Sequence, residues 1–177
     1  MQREVLKYGA RVLRQVCAPV EQVDDEVRAL IEDLFDSMHA ADGVGLAAPQ
    51  IGVARRVIVV DVTRQEPQHE PVALVNPRLA SGTGSMVAEE GCLSFPDLYG
   101  DVERLATVEV EALDASGEAV CIRAEGFFAR VLQHEIDHLD GKLFIDRLSP
   151  LKRQLLHGAL KRLRKEGEAW DRERVLG

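Results

Sequence analysis

Phe127-Phe128-Ala129-Arg130-Val131-Leu132-Gln133-His134-Glu135-Ile136-Asp137-His138-Leu139 is the stretch from which the rest of the chain is read. Its apolar residues recur at helical spacing and Gly141 follows as a stop, which predicts a helix from about Phe127 to Leu139. Projected at ~100° per residue, Phe128, Leu132, Ile136 and Leu139 form one stripe, the face that would meet a core. His134 and His138 are four apart and stack on another face, flanked by Phe127 and Val131. The five-residue pattern alone also occurs on plain surface helices. A solvent-facing surface, however, would not set Phe and Val beside two histidines, whereas a metal pocket would. Glu135 projects about 100° from His134, between the two faces. A carboxylate there lies beside a metal without becoming a ligand, as a general base acting on water must.

Working outward, Asp24 to Ala41 predicts a first helix. Val27, Leu30, Ile31, Leu34, Phe35 and Met38 make its apolar stripe, Asp24 can cap its amides, and Gly43 and Gly45 end it. Strand-like segments follow at Arg56–Val62, Val72–Val75, Val102–Leu113 and Ala119–Ile122, with a polar loop at Gln65–Pro71. Ser149-Pro150 opens a C-terminal helix running to about Lys165, packed by Leu148, Leu151, Leu155 and Leu163, and residues 166–177 are expected to fray. Strands in the middle and helices at the ends indicate an α+β fold, with antiparallel or mixed sheets around a central metal-binding helix. A length of 177 residues suits a single domain, 1–177.

A catalytic metal needs a third protein ligand and an open position. Downstream, His157 falls on the basic C-terminal helix, without neighbours suited to a metal. Upstream, Glu89-Glu90-Gly91-Cys92-Leu93-Ser94 sets a cysteine between Gly and Leu, in a segment read as a loop. That is a poor core position and a good one for a thiolate ligand. Cys17 and Cys121 read instead as buried small residues, Cys121 within the strand-like Ala-Val-Cys-Ile. Three cysteines do not make a disulfide framework. In Asp42-Gly43-Val44-Gly45-Leu46-Ala47-Ala48-Pro49-Gln50, two glycines either let the backbone approach a ligand or merely make a helix exit and tight turn.

The net charge is −8, yet residues 147–165 hold seven Lys or Arg and no acid, leaving −15 on the remainder. The acidic body favours solubility, and the basic segment needs a separate explanation. No apolar run approaches the ~20 residues that span a bilayer, and Met1–Lys7 has no apolar leader region, so a cytoplasmic protein is expected. Neither a membrane nor DNA is an expected partner.

Gly-Val-Gly-Leu-Ala-Ala-Pro-Gln at 43–50, Glu-Gly-Cys-Leu-Ser at 90–94 and His-Glu-Ile-Asp-His at 134–138 resemble, in order and spacing, the three signature motifs of the peptide deformylases. The resemblance runs from the first helix to Leu-Phe-Ile-Asp-Arg-Leu-Ser-Pro-Leu-Lys at 143–152, and the length is similar to the bacterial type. It implies a metal-dependent hydrolase that removes formyl from the N-terminal formyl-methionine of new proteins, giving formate and a free amine. Cys92, His134 and His138 would be the metal ligands and Glu135 the acid/base, with Gln50 and the Leu93 amide donating to the developing oxyanion. Gly45 would bind the substrate strand and Val44, Phe127 and Val131 would line the methionine pocket; Arg130, which projects about 40° from His134 on the side away from His138, would lie at its rim. Glu90 and Arg104 match an ion pair bracing the Cys92 segment. Tyr99 stands where some relatives carry a basic residue, and Arg130 where some are apolar. A Cys-His-His set accepts Fe(II), Zn(II), Ni(II) or Co(II), and the family implies Fe(II) in the cell. It also supplies a polyanionic partner for the basic helix, the ribosome.

Two other classes compete. A zinc endopeptidase would cut an internally quenched peptide in preference to formyl-Met-Ala-Ser. A metal-stabilised binding module would normally close its site with four protein ligands, whereas three credible ligands and a poised carboxylate describe an open one.

Overall fold

A computed structural model describes residues 1–175. Helix α1, Asp25–Ala40, begins where the Asp24 carboxylate accepts from the Val27 amide at 3.0 Å. Seven strands follow: β1 Gly45–Ala47, β2 Val57–Val60, β3 Val72–Thr83, β4 Met86–Cys92, β5 Phe95–Arg104, β6 Thr107–Leu113 and β7 Ala119–Glu125. Then come α2, Gly126–Leu139, α3, Pro150–Leu155, and α4, His157–Val175. The strands form an antiparallel five-stranded sheet ordered β1-β2-β3-β6-β7 and a separate β4–β5 hairpin. This is the α+β arrangement expected.

The sheet is sandwiched between α1 and α2, and β2, paired on both sides, has all four residues buried. Side chains alternate across a strand, so Val57 and Val59 join the cluster under α1, while Ile58 and Val60 join the cluster under α2. Each such residue contributes ~1.5–3 kcal/mol of apolar burial. Helix α2 is therefore enclosed, with every residue from Phe128 to Leu139 buried. Its N-terminus is capped from a distance: the Glu66 carboxylate, in the loop at Gln65–Pro71, accepts from the Phe127 and Phe128 amides at 3.3 Å each.

Four expectations are corrected. Cys92 is not in a loop; it ends β4 and pairs with Phe95 across the Leu93-Ser94 turn. Val102–Leu113 is two strands of different sheets, β5 and β6. Cys121 is exposed, because β7 turns Val120, Ile122 and Ala124 inward and Cys121 with Arg123 outward; its thiol bonds Glu109 at 3.1 Å. The C-terminal helix is two helices broken at Leu156, with α4 running to Val175; Leu176 and Gly177, the end of the expected tail, lie outside the described residues. The break shifts the packing phase: Leu160 and Leu163 are buried and Leu156 and Trp170 pack partly, whereas Leu151 and Leu155 are 68% and 73% exposed. Gly167 lets α4 cross the N-terminal segment, since a Cβ there would lie 2.4 Å from the Lys7 carbonyl oxygen.

Candidate metal centre

Helix α2 brings His134 and His138 onto one face, with their Nε2 atoms 3.2 Å apart. The end of β4 delivers Cys92, whose Sγ lies 3.4 Å from His138 Nε2, and all three atoms fall within 4.8 Å of one another. His134 Nδ1 is bonded to Glu90 Oε2 at 2.9 Å, which leaves Nε2 as the free nitrogen. Burial pushes His138 well below the usual imidazole value, into the neutral form that offers a lone pair. One thiol and two imidazole nitrogens converging this closely suit a single transition-metal ion in tetrahedral coordination with one position open.

A chain of charge lies behind the ligands, buried at Glu90, Arg104 and Asp137 and reaching solvent at Arg147. Arg104 donates to Glu90 at 2.8 and 3.0 Å and to Asp137 at 2.5 Å, and Arg147 donates to the same Asp137 at 2.6 and 2.8 Å. Burial alone would push the Glu90 carboxyl up; the bonds from His134 and Arg104 outweigh it and hold the group well below the usual carboxylate range. Asp137 and Arg147 escaped the reading of the sequence. Nothing local marks Asp137 as pairing with a strand residue thirty-three positions upstream.

Glu135 is buried beside Gly45, and burial pushes its carboxyl up to about 7. Its Oε2 has no partner among the described residues. A carboxyl poised near neutrality can both take and return a proton. A Cβ on Gly45 would come within 2.4 Å of Glu135 Oε1, so β1 can pass this close only with glycine there. Gly45→Ala is therefore expected to displace Glu135 and cut turnover at least tenfold while metal content, read by elemental analysis, stays near one per chain. Full activity in that variant would mean that the contact does not set the carboxylate.

Gln50 sits in the turn after β1. Its Oε1 accepts from the Ala47 amide at 2.9 Å, which fixes the amide and directs Nε2 to Ser94 Oγ at 3.2 Å and to Cys92 Sγ at 3.6 Å. Lys7 Nζ donates to the Leu93 carbonyl at 3.2 Å. Val44, Gly45, Leu93, Phe127 and Val131 line one cleft of about 530 Å³, together with Gln50, Cys92, His134 and Glu135. His138 and Arg104 are not among its lining residues. Arg130 touches this cleft, but its guanidinium is turned away from the expected rim. It is buried against Glu90 at 2.7 Å and the carbonyls of Val102 at 2.9 Å and Met86 at 2.7 Å. A cation enclosed by a helix and a hairpin finds its acceptors inward, which corrects the placement read from helix projection.

A sequence profile described as polypeptide deformylase matches residues 2–154. A peptide deformylase of Phenylobacterium zucineum is 48% identical over 94% of this chain and 98% of its own. One of Alkalilimnicola ehrlichii is 46% identical over 93% and 92%. Among solved structures, a peptide deformylase from Legionella pneumophila superposes with a TM-score of 0.83 at 43% identity, covering 99% of this chain and 98% of that one. One from Synechococcus elongatus in complex with actinonin also has a TM-score of 0.83, at 41% identity, covering 89% and 87%.

Proposed function

The chain belongs to the peptide deformylase family, metal-dependent hydrolases that remove the N-terminal formyl group of nascent peptides, and from that premise we propose how its own residues divide the work. Cys92, His134 and His138 hold one divalent ion: Fe(II) in the cell, with Zn(II), Ni(II) or Co(II) accepted by the same donors. Such an ion acidifies a water from a pKa of ~15.7 toward about 7 and polarises a carbonyl oxygen. Glu135 takes the proton of the water that attacks the formyl carbon. It returns that proton to the amine nitrogen as the C–N bond breaks, leaving formate and a free amino terminus. Gln50 Nε2 and the Leu93 amide donate to the oxygen as it gains charge, a contribution worth ~3–4 kcal/mol per donor. Glu90 and Arg104 hold His134 and the Cys92 strand in place. The observation that carries this reading is the buried, unpartnered Glu135 oxygen beside a three-donor cluster. The test is formate release from formyl-Met-Ala-Ser against cleavage of an internally quenched peptide; cleavage of the latter alone would assign the site to an endopeptidase.

Val44, Phe127 and Val131 form the wall that receives the methionine side chain, with the Gly45 backbone alongside the peptide. A flexible thioether fills such an apolar wall well. Formyl-Met or formyl-norleucine peptides are expected to turn over at least tenfold faster than formyl-Asp or formyl-Lys peptides in steady-state assays. Equal rates would remove the pocket from this wall.

The protein works in the cytoplasm on nascent chains, and no helix among the described residues is long and apolar enough to cross a membrane. Its basic helix docks weakly on the ribosome. Lys161, Arg162, Arg164 and Lys165 are exposed on α4 at the end of the acid-free stretch 147–165; Arg164 pairs with Glu168 at 3.0 Å, and the run of basic groups ahead of that pair supports a polyanionic partner over a plain solvated face. Phosphate binding releases counterions, so affinity falls steeply with salt. Reversing these four residues to Glu is expected to abolish ribosome co-sedimentation at low salt and leave turnover of a short formyl-peptide near normal. Undiminished co-sedimentation would return the helix to being solvated surface.

A further inference from the structure

The ligand set is split between two bodies. His134 and His138 belong to α2, which is packed into the sheet, while Cys92 belongs to the β4–β5 hairpin, which shares no strand pairing with the five-stranded sheet. A lone two-stranded hairpin is marginal in water, so its contacts with other elements, the apolar packing of Phe95 and Val102 and the side-chain ties to α2, set where Cys92 stands relative to the histidines. Arg130 alone among the described residues of α2 donates to the main chain of both hairpin strands. Nη2 reaches the Met86 carbonyl at 2.7 Å, and Nη1 reaches the Val102 carbonyl at 2.9 Å and that of Ala88 at 3.5 Å. Nη1 also donates at 2.7 Å to Glu90 Oε1, whose other oxygen holds His134 Nδ1 at 2.9 Å. One rigid guanidinium thus grips β4, β5 and the carboxylate that orients the neighbouring ligand, a geometry that a lysine ammonium cannot reproduce.

We propose that Arg130 is a positioning residue for Cys92, acting beside Arg104 to fasten the β4–β5 hairpin to α2 so that the three-donor site is assembled before any metal arrives. The proposal rests on the reading of Cys92, His134 and His138 as the ligands, and it makes a statement about the metal-free protein that does not depend on that reading. Arg130→Met removes every donor, and Arg130→Lys keeps the charge and loses the fork. In metal-free protein, amide hydrogen exchange over Met86–Cys92 and Val102–Arg104 is expected to rise about tenfold or more in Arg130→Met and less in Arg130→Lys, with α1 unchanged. In cobalt-loaded protein the thiolate-to-metal absorption band should weaken or shift, and release of the ion to a chelator should quicken about tenfold, in the same order of variants. A variant that merely loosened the core would raise exchange in α1 as well and leave the cobalt band in place. If Arg130→Met does not fold, Arg130→Lys decides by the same measurements. Unchanged hairpin exchange in a folded variant overturns the proposal. A changed exchange with no metal bound by unsubstituted protein would instead overturn the ligand assignment and leave the clamp standing.

Discussion

Glu135→Gln is expected to fold, to bind its metal, and to lose nearly all deformylation. The substitution keeps the shape of the side chain, and Oε2 has no hydrogen-bond partner among the described residues whose loss would disturb the site. What disappears is a group that burial has brought to a pKa of about 7, able to accept a proton from water and give it to the leaving amine. An amide can do neither. General acid–base catalysis contributes ~10²–10⁴-fold, and here one group serves both transfers, so the loss should lie at the upper end. Formate release, measured beside metal content and melting temperature, checks this. More than about a tenth of normal activity at full metal occupancy would move the proton transfer to another group.

Cys92→Ala should empty the site. Two imidazoles four apart on one helix are left, and the thiolate that transition metals select is gone. Cys17→Ala and Cys121→Ala should keep both metal and activity. The Cys17 thiol is buried among apolar side chains, which pushes it up to about 11 and makes it inert, while Cys121 faces solvent on β7 and bonds Glu109, outside the three-donor cluster. Peroxide is expected to inactivate the Fe(II) form through the metal and its thiolate, because a ligand thiolate remains oxidisable. Elemental analysis of the three variants decides the point: equal metal in all three would place the third ligand elsewhere.

The features legible in the chain are those written in local periodicity. The stripe of Phe128, Leu132, Ile136 and Leu139 defines α2 and the face it buries, and the four-residue step sets His134 and His138 together whatever surrounds them. Asp24 and the stripe from Val27 to Met38 define α1 in the same way. Cys92 stood out by its poor fit to a core, and the structure brings it to the histidines. Sheet membership was not legible, because strand pairing joins residues far apart. Val102–Leu113 has one continuous β pattern and still divides between two sheets, and the small residues of β1 carry no strand signal until β2 pairs with them. Direction of buried charge was not legible either. Arg130 projects toward a pocket rim on an isolated helix, but once the hairpin covers it, it donates to Glu90 and three strand carbonyls. The same holds for Glu66, capping a helix sixty-one residues away, and for Leu151 and Leu155, left exposed by a break at Leu156. Periodicity assigns a side chain to a face of its own element. What that face meets is set by the other elements, since a buried polar group must find its partner wherever packing has placed one.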